Sequence, residues 1–431
     1  MQNIVIFYTI LINKMLIEFR VRNFRSIRDE QVLSLVASSD KSLKETNTLV
    51  SGIKVAPSLL RSAVIYGPNA GGKSNLVKAI QYMRGVVVES ASLMQPSQTF
   101  NAQTFRLDSV SESGNTEFEA TFILEGVRYQ YGFELNTQRI TKEYLLVYKA
   151  FKPQQWFERH YDLIANKDIY EFSSGLKGSK SLWENATRSN SLFLSMAVQL
   201  NSSQLRPIFD WFNNMLTIFN EISPLNPQFS VDMLKQSDGK QLICDFLTAA
   251  DISIADINIV TRKVPGQSLH FDLTANKTEV RSEEQEINEV QFHHETDKGK
   301  AVFGLNDESL GTQRLLFLAG PILDILNKGR TLIVDELDSS LHPLLVRRLV
   351  ELFHSTLNTK GAQLIFTTHD TSLLDPELFR RDQVWFVEKD REQASSLYPL
   401  SDFSPRKNEA LETGYLSGRY GALPFFKNGK M

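Results

Sequence analysis

Eight consecutive residues have the types and spacing needed to hold a chain of phosphates. They are Gly67-Pro68-Asn69-Ala70-Gly71-Gly72-Lys73-Ser74, and they fit the pattern G-x-x-x-x-G-K-[ST] at every fixed position. In such a loop the glycines let backbone N–H groups face the phosphates, the lysine bridges the β- and γ-phosphates, and the serine hydroxyl coordinates Mg²⁺. We therefore expect this stretch to bind a nucleoside triphosphate with its magnesium ion.

The residues on either side of this loop predict the elements that must position it. The apolar run from Ser62 to Tyr66 predicts a buried strand that leads into the loop. The residues from Asn75 to Ile80 predict a helix whose N-terminus faces the phosphates, and we include Asn75 among the nucleotide-binding residues. A glycine-rich turn that arose by chance does not explain both flanks.

Two further strands are predicted to deliver polar side chains at their carboxyl ends. Thr331 to Val334 is mainly apolar and is followed by Asp335 and Glu336. We expect Asp335 to hold Mg²⁺ through its water shell, and Glu336 to act as the general base that polarises the attacking water. The run from Gln363 to Thr368 ends at His369, which we interpret as a contact to the γ-phosphate; a helix-capping role is the alternative.

Four arginines form a basic strip just before the nucleotide-binding stretch. Arg20, Arg22, Arg25 and Arg28 have only Glu18 nearby on the upstream side. Such a strip either contacts phosphates or nucleic acid, or is the solvated edge of a strand. Both interpretations remain open at this point.

Composition limits the classes of function. A chain of 431 residues has room for two or three domains, and its 42% hydrophobic and 23% charged residues are typical of a soluble globular protein. The net charge of −3 argues against an overall electrostatic attraction to nucleic acid. The single cysteine, Cys244, excludes an intrachain disulfide framework and a cysteine-rich zinc site, as expected in a reducing cytoplasm.

Hydrophobic periodicity predicts a β-rich region followed by a helical one. The alternating runs 117–124 and 129–135 predict a β-hairpin, and a further strand is predicted over 140–148. Helices are predicted around 181–200, 203–222 and 240–251. Long heptad arrays are not found, so we predict no coiled-coil arm.

In their order along the chain, these motifs resemble the ATP-binding-cassette head of the RecF and SMC proteins. That family has a Leu-Ser-Gly-Gly-Gln signature before its Asp-Glu strand, and the matching stretch here runs from Glu308 to Gln313. Ser309 and Gly311 match, while the Leu and the first Gly are replaced and the Gln falls one position late. The stretch begins an apolar helix predicted over 315–326, whose N-terminus can face a phosphate.

The resemblance implies how such heads assemble. In the family the signature contacts the γ-phosphate held by a second subunit, so two heads enclose two ATP molecules. By this resemblance Ser309 and Gly311 are nucleotide-binding residues, and Asp338 corresponds to the D-loop aspartate at the dimer interface. A homodimer or a higher homo-oligomer is therefore expected.

A closer likeness is to the compact prokaryotic ATPases of the OLD and abortive-infection type. The stretches IEFRVRNFRSI, GPNAGGKSN, DELDSSLHP, TTHD and YLSGRYGALP are similar to that group. Several such proteins act in anti-phage defence with a separate effector encoded beside them. OLD nucleases also carry a Toprim domain, but no Asp-x-Asp pair follows His369, so we expect any nuclease or toxin activity to belong to a separate partner.

The predicted fold is an α/β P-loop head of the ATP-binding-cassette type with an antiparallel β layer. Four regions are expected: an N-terminal extension over 1–14, a first ATPase lobe over 15–150, a mixed but largely helical insert over 151–300, and a second ATPase lobe over 301–431. The apolar run in the extension is too short to span a membrane and lacks the features of a signal peptide. The glycine-rich stretch 414–424 either docks a partner, completes the nucleotide site, or is a tail pinned onto the core.

Three functions from different classes follow. The favoured one is a cytoplasmic ATP-hydrolysing switch in which nucleotide drives dimerisation and so controls an effector in anti-phage defence. The alternatives are a RecF-like DNA-repair ATPase that uses the basic strip, and a scaffold that binds ATP without hydrolysing it. ATP is preferred over GTP by the family likeness, since the sequence has no Asn-Lys-x-Asp guanine-reading motif.

Overall fold

The computed structural model describes residues 14–220, 227–249, 252, 254–272, 277–339, 341–404 and 410–423. They fall into two compact units. The first unit is drawn from Met1–Glu221, Ile325–Ser339 and Leu349–Met431, and the second from Ile222–Asp324 and Ser340–Arg348. Apart from Lys14, the predicted N-terminal extension lies outside the described residues.

The described strands, in chain order, are β1 (Leu16–Arg22), β2 (Gln31–Ser34), β3 (Thr48–Val50), β4 (Ser58–Leu60), β5 (Ser62–Tyr66), β6 (Thr116–Leu124), β7 (Val127–Leu135), β8 (Ile140–Tyr148), β9 (Gln154–Asp162), β10 (Lys167–Phe172), β11 (Leu216–Phe219), β12 (Asp256–Asp272), β13 (Lys277–Thr296), β14 (Gly299–Gly304), β15 (Thr331–Val334), β16 (Gln363–Thr367), β17 (Val384–Lys389) and β18 (Ser395–Pro399). The described α-helices are α1 (Lys44–Asn47), α2 (Lys73–Glu89), α3 (Ser109–Ser113), α4 (Lys180–Ala186), α5 (Phe193–Gln199), α6 (Arg206–Asp210), α7 (Gln228–Leu234), α8 (Ser237–Ala249), α9 (Leu310–Lys328), α10 (Pro343–His354) and α11 (Leu411–Leu416).

The first unit contains a six-stranded sheet that carries the predicted motifs. Its order is β11-β15-β16-β5-β17-β18; neighbouring strands are parallel except for the last pair. Every residue of β5, β15 and β16 is buried. Strands covered on both faces have continuous apolar sequences, so all three could be predicted from the sequence. The structure confirms these three predictions.

A seven-stranded antiparallel sheet lies in the same unit, in the order β10-β9-β8-β7-β6-β1-β2. The predicted hairpin is present as β6 and β7, and its turn residues Glu125 and Gly126 have φ angles of 53° and 76°. Positive φ at both central positions is typical of a two-residue hairpin turn whose twist matches that of the strands. The boundary expected at residue 151 falls between the paired strands β8 and β9, inside this sheet.

One hydrophobic core joins the two sheets through α2. It contains Ala63 and Ile65 of β5, Leu76 and Ile80 of α2, and Phe118 of β6. The predicted antiparallel layer beside the nucleotide-binding sheet is therefore confirmed. This packing fixes the helix that begins at the phosphate loop.

The second unit holds α7, α8, most of α9 and a three-stranded antiparallel sheet of β12, β13 and β14. In this sheet β12 and β13 pair along 17 consecutive positions, from Asp256 with His293 to Asp272 with Lys277. The prediction that residues 151–300 are largely helical is therefore wrong, because long strands lie there beside the helices. These strands were missed because they are rich in charged and amide residues, so their period-two apolar signal is weak.

A second correction concerns the helix expected over 203–222. The chain there forms α6, then a π-helical turn at Trp211–Met215, and then β11, an edge strand of the six-stranded sheet. The predicted α/β fold class itself is confirmed. The longest described helix, α9, has 19 residues, and none of the described helices is long and apolar enough to cross a membrane.

Candidate functional site

The phosphate-loop residues form a tight connection between β5 and α2. The ammonium group of Lys73 donates hydrogen bonds to the carbonyl oxygens of Gly67 (2.7 Å) and Pro68 (3.3 Å). Ala70 has a φ of 61° and Gly72 a φ of 121°, so the loop passes twice through the left-handed region. A Cβ atom at Gly72 would also collide with the side chain of Ser395, which explains why glycine is required there.

Three polar side chains, two of them from distant parts of the chain, hold this loop in place. Ser395 of β18 donates to the carbonyl oxygen of Gly71 (2.7 Å) and shares a hydrogen bond with the hydroxyl group of Ser26 (2.8 Å). Asn75 donates to the same Ser26 hydroxyl oxygen at 2.6 Å. The loop is thus fixed from outside its own sequence. Ser26 and Ser395 were missed by sequence reasoning, because they lie 369 residues apart in the chain.

A threonine of the neighbouring strand holds the carboxylate of Asp335 and the backbone of Glu336, which follow β15. Thr367 Oγ1 donates to Asp335 Oδ1 and accepts from the backbone N–H of Glu336, both at 2.7 Å. Asp335 is only 8% exposed, whereas Glu336 is exposed and has a φ of 53°. A left-handed glutamate is strained by about 1 kcal/mol or more, and such strain is concentrated at functional sites. The strand end therefore holds one carboxylate inward and presents the other to solvent.

His369 lies at the end of β16, as predicted, and its backbone is held by Asp338. Asp338 Oδ2 accepts from the His369 backbone N–H at 3.1 Å. The second carboxylate oxygen, Oδ1, is buried, and the described residues give it no hydrogen-bond partner. A buried acceptor of this kind commonly marks the place of a ligand, ion or water.

Electrostatic coupling shows that the five titratable groups form one cluster. Burial lowers the pKa of Lys73 to about 8, against the opposing effect of Glu336, Asp335 and Asp338. Burial and the charge of Lys73 lower the pKa of His369, and the same three carboxylates oppose this shift. The sequence-predicted residues of the first unit are thus brought together around Lys73.

The residues present fit a magnesium ion bound with a nucleotide. Ser74 lies half-buried in the first turn of α2, and the carboxylate of Asp335 interacts with its neighbour Lys73. A hydroxyl and a carboxylate are oxygen donors of the kind Mg²⁺ takes when phosphates and waters supply its other ligands. Among the described residues there is no group of three or more His, Cys, Asp or Glu side chains that could hold a metal by itself.

The predicted signature residues belong to the second unit. Ser309 Oγ accepts from the backbone N–H of Thr312 at 3.1 Å and so caps α9, which begins at Leu310. Near Gly311, an added Cβ would meet just the Ser309 hydroxyl oxygen, at 3.6 Å. The predicted helix start is confirmed, and an exposed serine stands at its N-terminus.

The basic strip is largely neutralised by ion pairs. Arg20 pairs with Glu18, Glu30 and Glu119, and Arg22 pairs with Glu117 at 2.7 Å. The partners of Arg28 are Asp29, Asp390 and Glu392. The strand over 117–124 was predicted but its pairing with β1 was not, so the strip looked more positive than it is.

Arg25 differs from the other three arginines. It has no carboxylate partner among the described residues, and its Nε atom is buried without a hydrogen bond. It lines a cavity of about 790 Å³ that runs beside α2, together with Phe24, Lys78 and Tyr82. This volume lies in the range of small-molecule sites.

One further residue lies at the same edge of the sheet. Asn220 follows β11, and the backbone N–H of Asp335 donates to the carbonyl oxygen of Phe219 at 2.9 Å. The carboxyl ends of parallel strands meet at one edge, where ligands of open α/β sheets bind. Asn220 was missed because β11 was expected to be helical.

A phosphate loop, an Asp-Glu strand end and a histidine strand end on one edge of a parallel sheet define a P-loop nucleotide-binding ATPase core. A family model described as "AAA domain, putative AbiEii toxin, Type IV TA system" matches residues 62–375. This is most of the chain, and the protein belongs to that family. A search of curated proteins finds no match.

Solved structures of SMC head domains are similar over most of their length. The SMC head domain from Thermotoga maritima is 14% identical, covers 89% of this chain and 98% of its own, and has a TM-score of 0.42. The SmcHead bound to the C-winged helix domain of ScpA is 12% identical, with coverages of 89% and 97% and a TM-score of 0.41. TM-scores this low carry no argument about function.

Proposed function

We propose that this protein is an ATP-hydrolysing switch, in which bound ATP drives head-to-head dimerisation and hydrolysis reverses it. The observation that carries the proposal is the Thr367 hydroxyl, which joins Asp335 and Glu336 beside the buried ammonium group of Lys73. A general base, a metal-binding carboxylate and a phosphate-binding lysine are the parts that P-loop hydrolysis requires.

Each residue has a distinct part in the proposed reaction. The backbone amides from Gly67 to Gly72 and the ammonium group of Lys73 hold the β- and γ-phosphates. Ser74 and Asp335 would hold Mg²⁺, which neutralises charge on the phosphates when bound. Glu336, exposed at the strand end, accepts a proton from the attacking water.

His369 is proposed to contact the γ-phosphate. Partial loss of hydration and the charge of Lys73 lower the pKa of His369, which favours the neutral side chain. A neutral imidazole can donate one N–H to a phosphate oxygen without adding a full positive charge. Its contact is therefore suited to detecting whether the γ-phosphate is present.

Dimerisation is proposed to bring Ser309 and Gly311 to the γ-phosphate held by a second copy. The support is the exposed N-terminal end of the 19-residue helix α9, with Ser309 as its cap. Helix N-termini favour anions. Asp338, whose buried Oδ1 has no partner among the described residues, is proposed to lie at the dimer interface.

The proposed biological role is anti-phage defence of the OLD and abortive-infection type, in the cytoplasm, through a separate effector with nuclease or toxin activity. The family description, which names a toxin and a type IV TA system, supports this role. A RecF-like DNA-binding role is less favoured, since three of the four arginines in the basic strip are ion-paired. A scaffold that does not hydrolyse ATP is less favoured because Glu336 is held in place as a potential base.

ATP hydrolysis by the purified full chain tests the proposal. Lys73→Ala should abolish turnover, because it removes the cation that bridges the phosphates. Lys360→Ala is the matched control, since Lys360 is exposed and precedes β16 at the opposite end of that strand from His369. Turnover that survives Lys73→Ala unchanged would contradict the proposed function.

A further inference from the structure

Residues 410–423, here called the C-terminal segment, pack beside the nucleotide-binding edge of the core sheet. Tyr415 contacts Tyr66 with ring centroids 5.7 Å apart and stacks on Phe386 at 5.4 Å. Tyr66 is the last residue of β5, immediately before the phosphate loop. The segment therefore touches the element that leads into the loop.

The C-terminal segment is anchored to the β17–β18 hairpin. The backbone N–H of Ala422 donates to Glu388 Oε2 at 2.7 Å, and the hydroxyl of Tyr398 donates to the Tyr420 carbonyl oxygen at 3.0 Å. The same hairpin supplies Ser395, which holds the phosphate loop through Gly71. One hairpin thus supports both the loop and the segment.

The segment also reaches the residues that follow His369. Thr371 Oγ1 donates to Glu412 Oε1 of α11 at 2.7 Å. Tyr66 donates its hydroxyl to the carbonyl oxygen of Asp370 at 3.0 Å. With Asp338 bonded to the His369 N–H, the backbone around this histidine is held from three directions.

We propose that Glu412 is a positioning residue for ATP hydrolysis, which acts by setting the place of His369 through Thr371. The proposal rests on the proposed ATPase function and assigns the C-terminal segment a part in it. His369 is exposed at a strand end, so packing alone does not fix its position. Catalytic groups must be held within about 0.5 Å, and a misplacement of about 1 Å costs as much as 100-fold in rate.

Hydrogen bonds then connect the segment to both sides of the site. Through Ser395 the β17–β18 hairpin holds the phosphate loop, and through Glu412 the segment holds the histidine. A change in the position of the segment therefore alters the distance between His369 and the loop. Contiguous contacts of this kind can transmit coupling between two places in a protein.

Steady-state ATPase kinetics of the full chain test the proposal. Glu412→Ala and Thr371→Val should each lower kcat about tenfold with KM changed by less than about twofold, because they misplace His369 without removing a phosphate contact. Glu412→Gln and Thr371→Ser keep an acceptor and a donor, and should restore kcat to within about threefold of the parent. Thr413→Ala is the matched control, since Thr413 is an exposed neighbour on the same helix.

The outcomes separate this proposal from the proposed function. A Glu412→Ala protein that hydrolyses ATP at the parental rate, or a Glu412→Gln protein as slow as Glu412→Ala, would overturn the positioning role and leave the ATPase assignment intact. If the parent itself is no faster than Lys73→Ala, the ATPase assignment fails. The rate at which His369 is carbethoxylated, followed by peptide mass mapping, then reports its placement without turnover. Glu412→Ala should change this modification rate about threefold, and an unchanged modification rate would overturn the proposal.

Discussion

The hydroxyl of Thr367 connects the two acidic residues of the site, donating to Asp335 Oδ1 and accepting from the Glu336 N–H, each at 2.7 Å. Thr367 is completely buried on β16, while the carboxylates follow β15. The position of the Asp335 carboxylate, proposed to bind the metal, relative to the backbone of Glu336, the proposed base, is therefore set by a neighbouring strand.

Thr367→Val should damage both stability and turnover. It leaves a buried carboxylate and a backbone N–H without their partner, at a cost of about 1–3 kcal/mol in the free energy of unfolding. We expect kcat to fall about tenfold, since the carboxylate of Asp335 and the backbone of Glu336 lose a fixed position. Chemical denaturation and ATPase kinetics measure the two effects. Thr367→Ser keeps the hydroxyl and should retain most of both; equal losses in Val and Ser variants would contradict the bridging role.

The lowered pKa of Lys73 predicts proton uptake when ATP binds. At pH 8 the ammonium group is about half protonated, since burial brings its pKa to about 8. The phosphates of ATP favour the charged form, so binding near pH 8 should take up about half a proton. Isothermal calorimetry in buffers of different ionisation enthalpy measures this uptake. Below about pH 7 Lys73 is already protonated before ATP binds, so the uptake should be much smaller there than at pH 8, in the parent and in Lys360→Met alike. Equal uptake at the two pH values would contradict the assignment.

The same pKa sets a pH dependence of stability in the protein without nucleotide. Between about pH 8 and 10.5 the unfolded chain binds more protons at Lys73 than the folded one. The free energy of unfolding contributed by this group therefore rises with pH across that window. Denaturation measures the free energy of unfolding of the parent and of Lys73→Met at several pH values. The value for the parent minus the value for Lys73→Met should increase as the pH rises. A constant difference would show that the pKa is not lowered.

Ser395→Ala should weaken nucleotide binding by loosening the phosphate loop. The serine hydroxyl donates to Gly71 O and shares a hydrogen bond with the Ser26 hydroxyl, and its loss should raise the Kd for ATP about tenfold, which corresponds to about 1.4 kcal/mol. Fluorescent-nucleotide titration measures the affinity. Ser396→Ala is the control, because Ser396 is the exposed neighbour on β18. Equal affinities for the two variants would show that the anchor is not needed.

Ser309 allows helix capping to be separated from phosphate contact. Both Asp and Asn cap helices about as well as Ser, so Ser309→Asp and Ser309→Asn should unfold at nearly the parental temperature. The added negative charge of Asp should prevent ATP-dependent dimerisation, whereas neutral Asn should permit it. Analytical ultracentrifugation with ATP tests this. If the Asp variant dimerises like the Asn variant, Ser309 does not lie at the dimer interface.

The strands that carry the site were predictable because each motif directly follows an apolar run that is typical of a buried strand. Continuous apolar runs precede Gly67, Asp335 and His369, since β5, β15 and β16 are buried on both faces. The loop-to-helix transition at Lys73 followed from the fixed spacing of its glycines. These signals are local, and the structure agrees with them.

The remaining parts depend on contacts between residues far apart in the chain. Ser26 and Ser395 look like ordinary loop and strand residues until the fold brings them to Gly71. The arginine strip looked free because Glu117 and Glu119 belong to β6, almost a hundred residues away. β11 was read as a helix because the chain before it is helical and ends in a π-helical turn.

The central claim is that ATP drives dimerisation and that hydrolysis of the ATP, with Glu336 as the base, reverses it. Native mass of the Glu336→Gln protein, with and without ATP and Mg²⁺, tests this most directly, with the Lys73→Ala Glu336→Gln double variant as the control that cannot hold the phosphates. The account predicts a dimer that appears with ATP in the single variant and is absent from the double variant. A mass that does not change with nucleotide would contradict it.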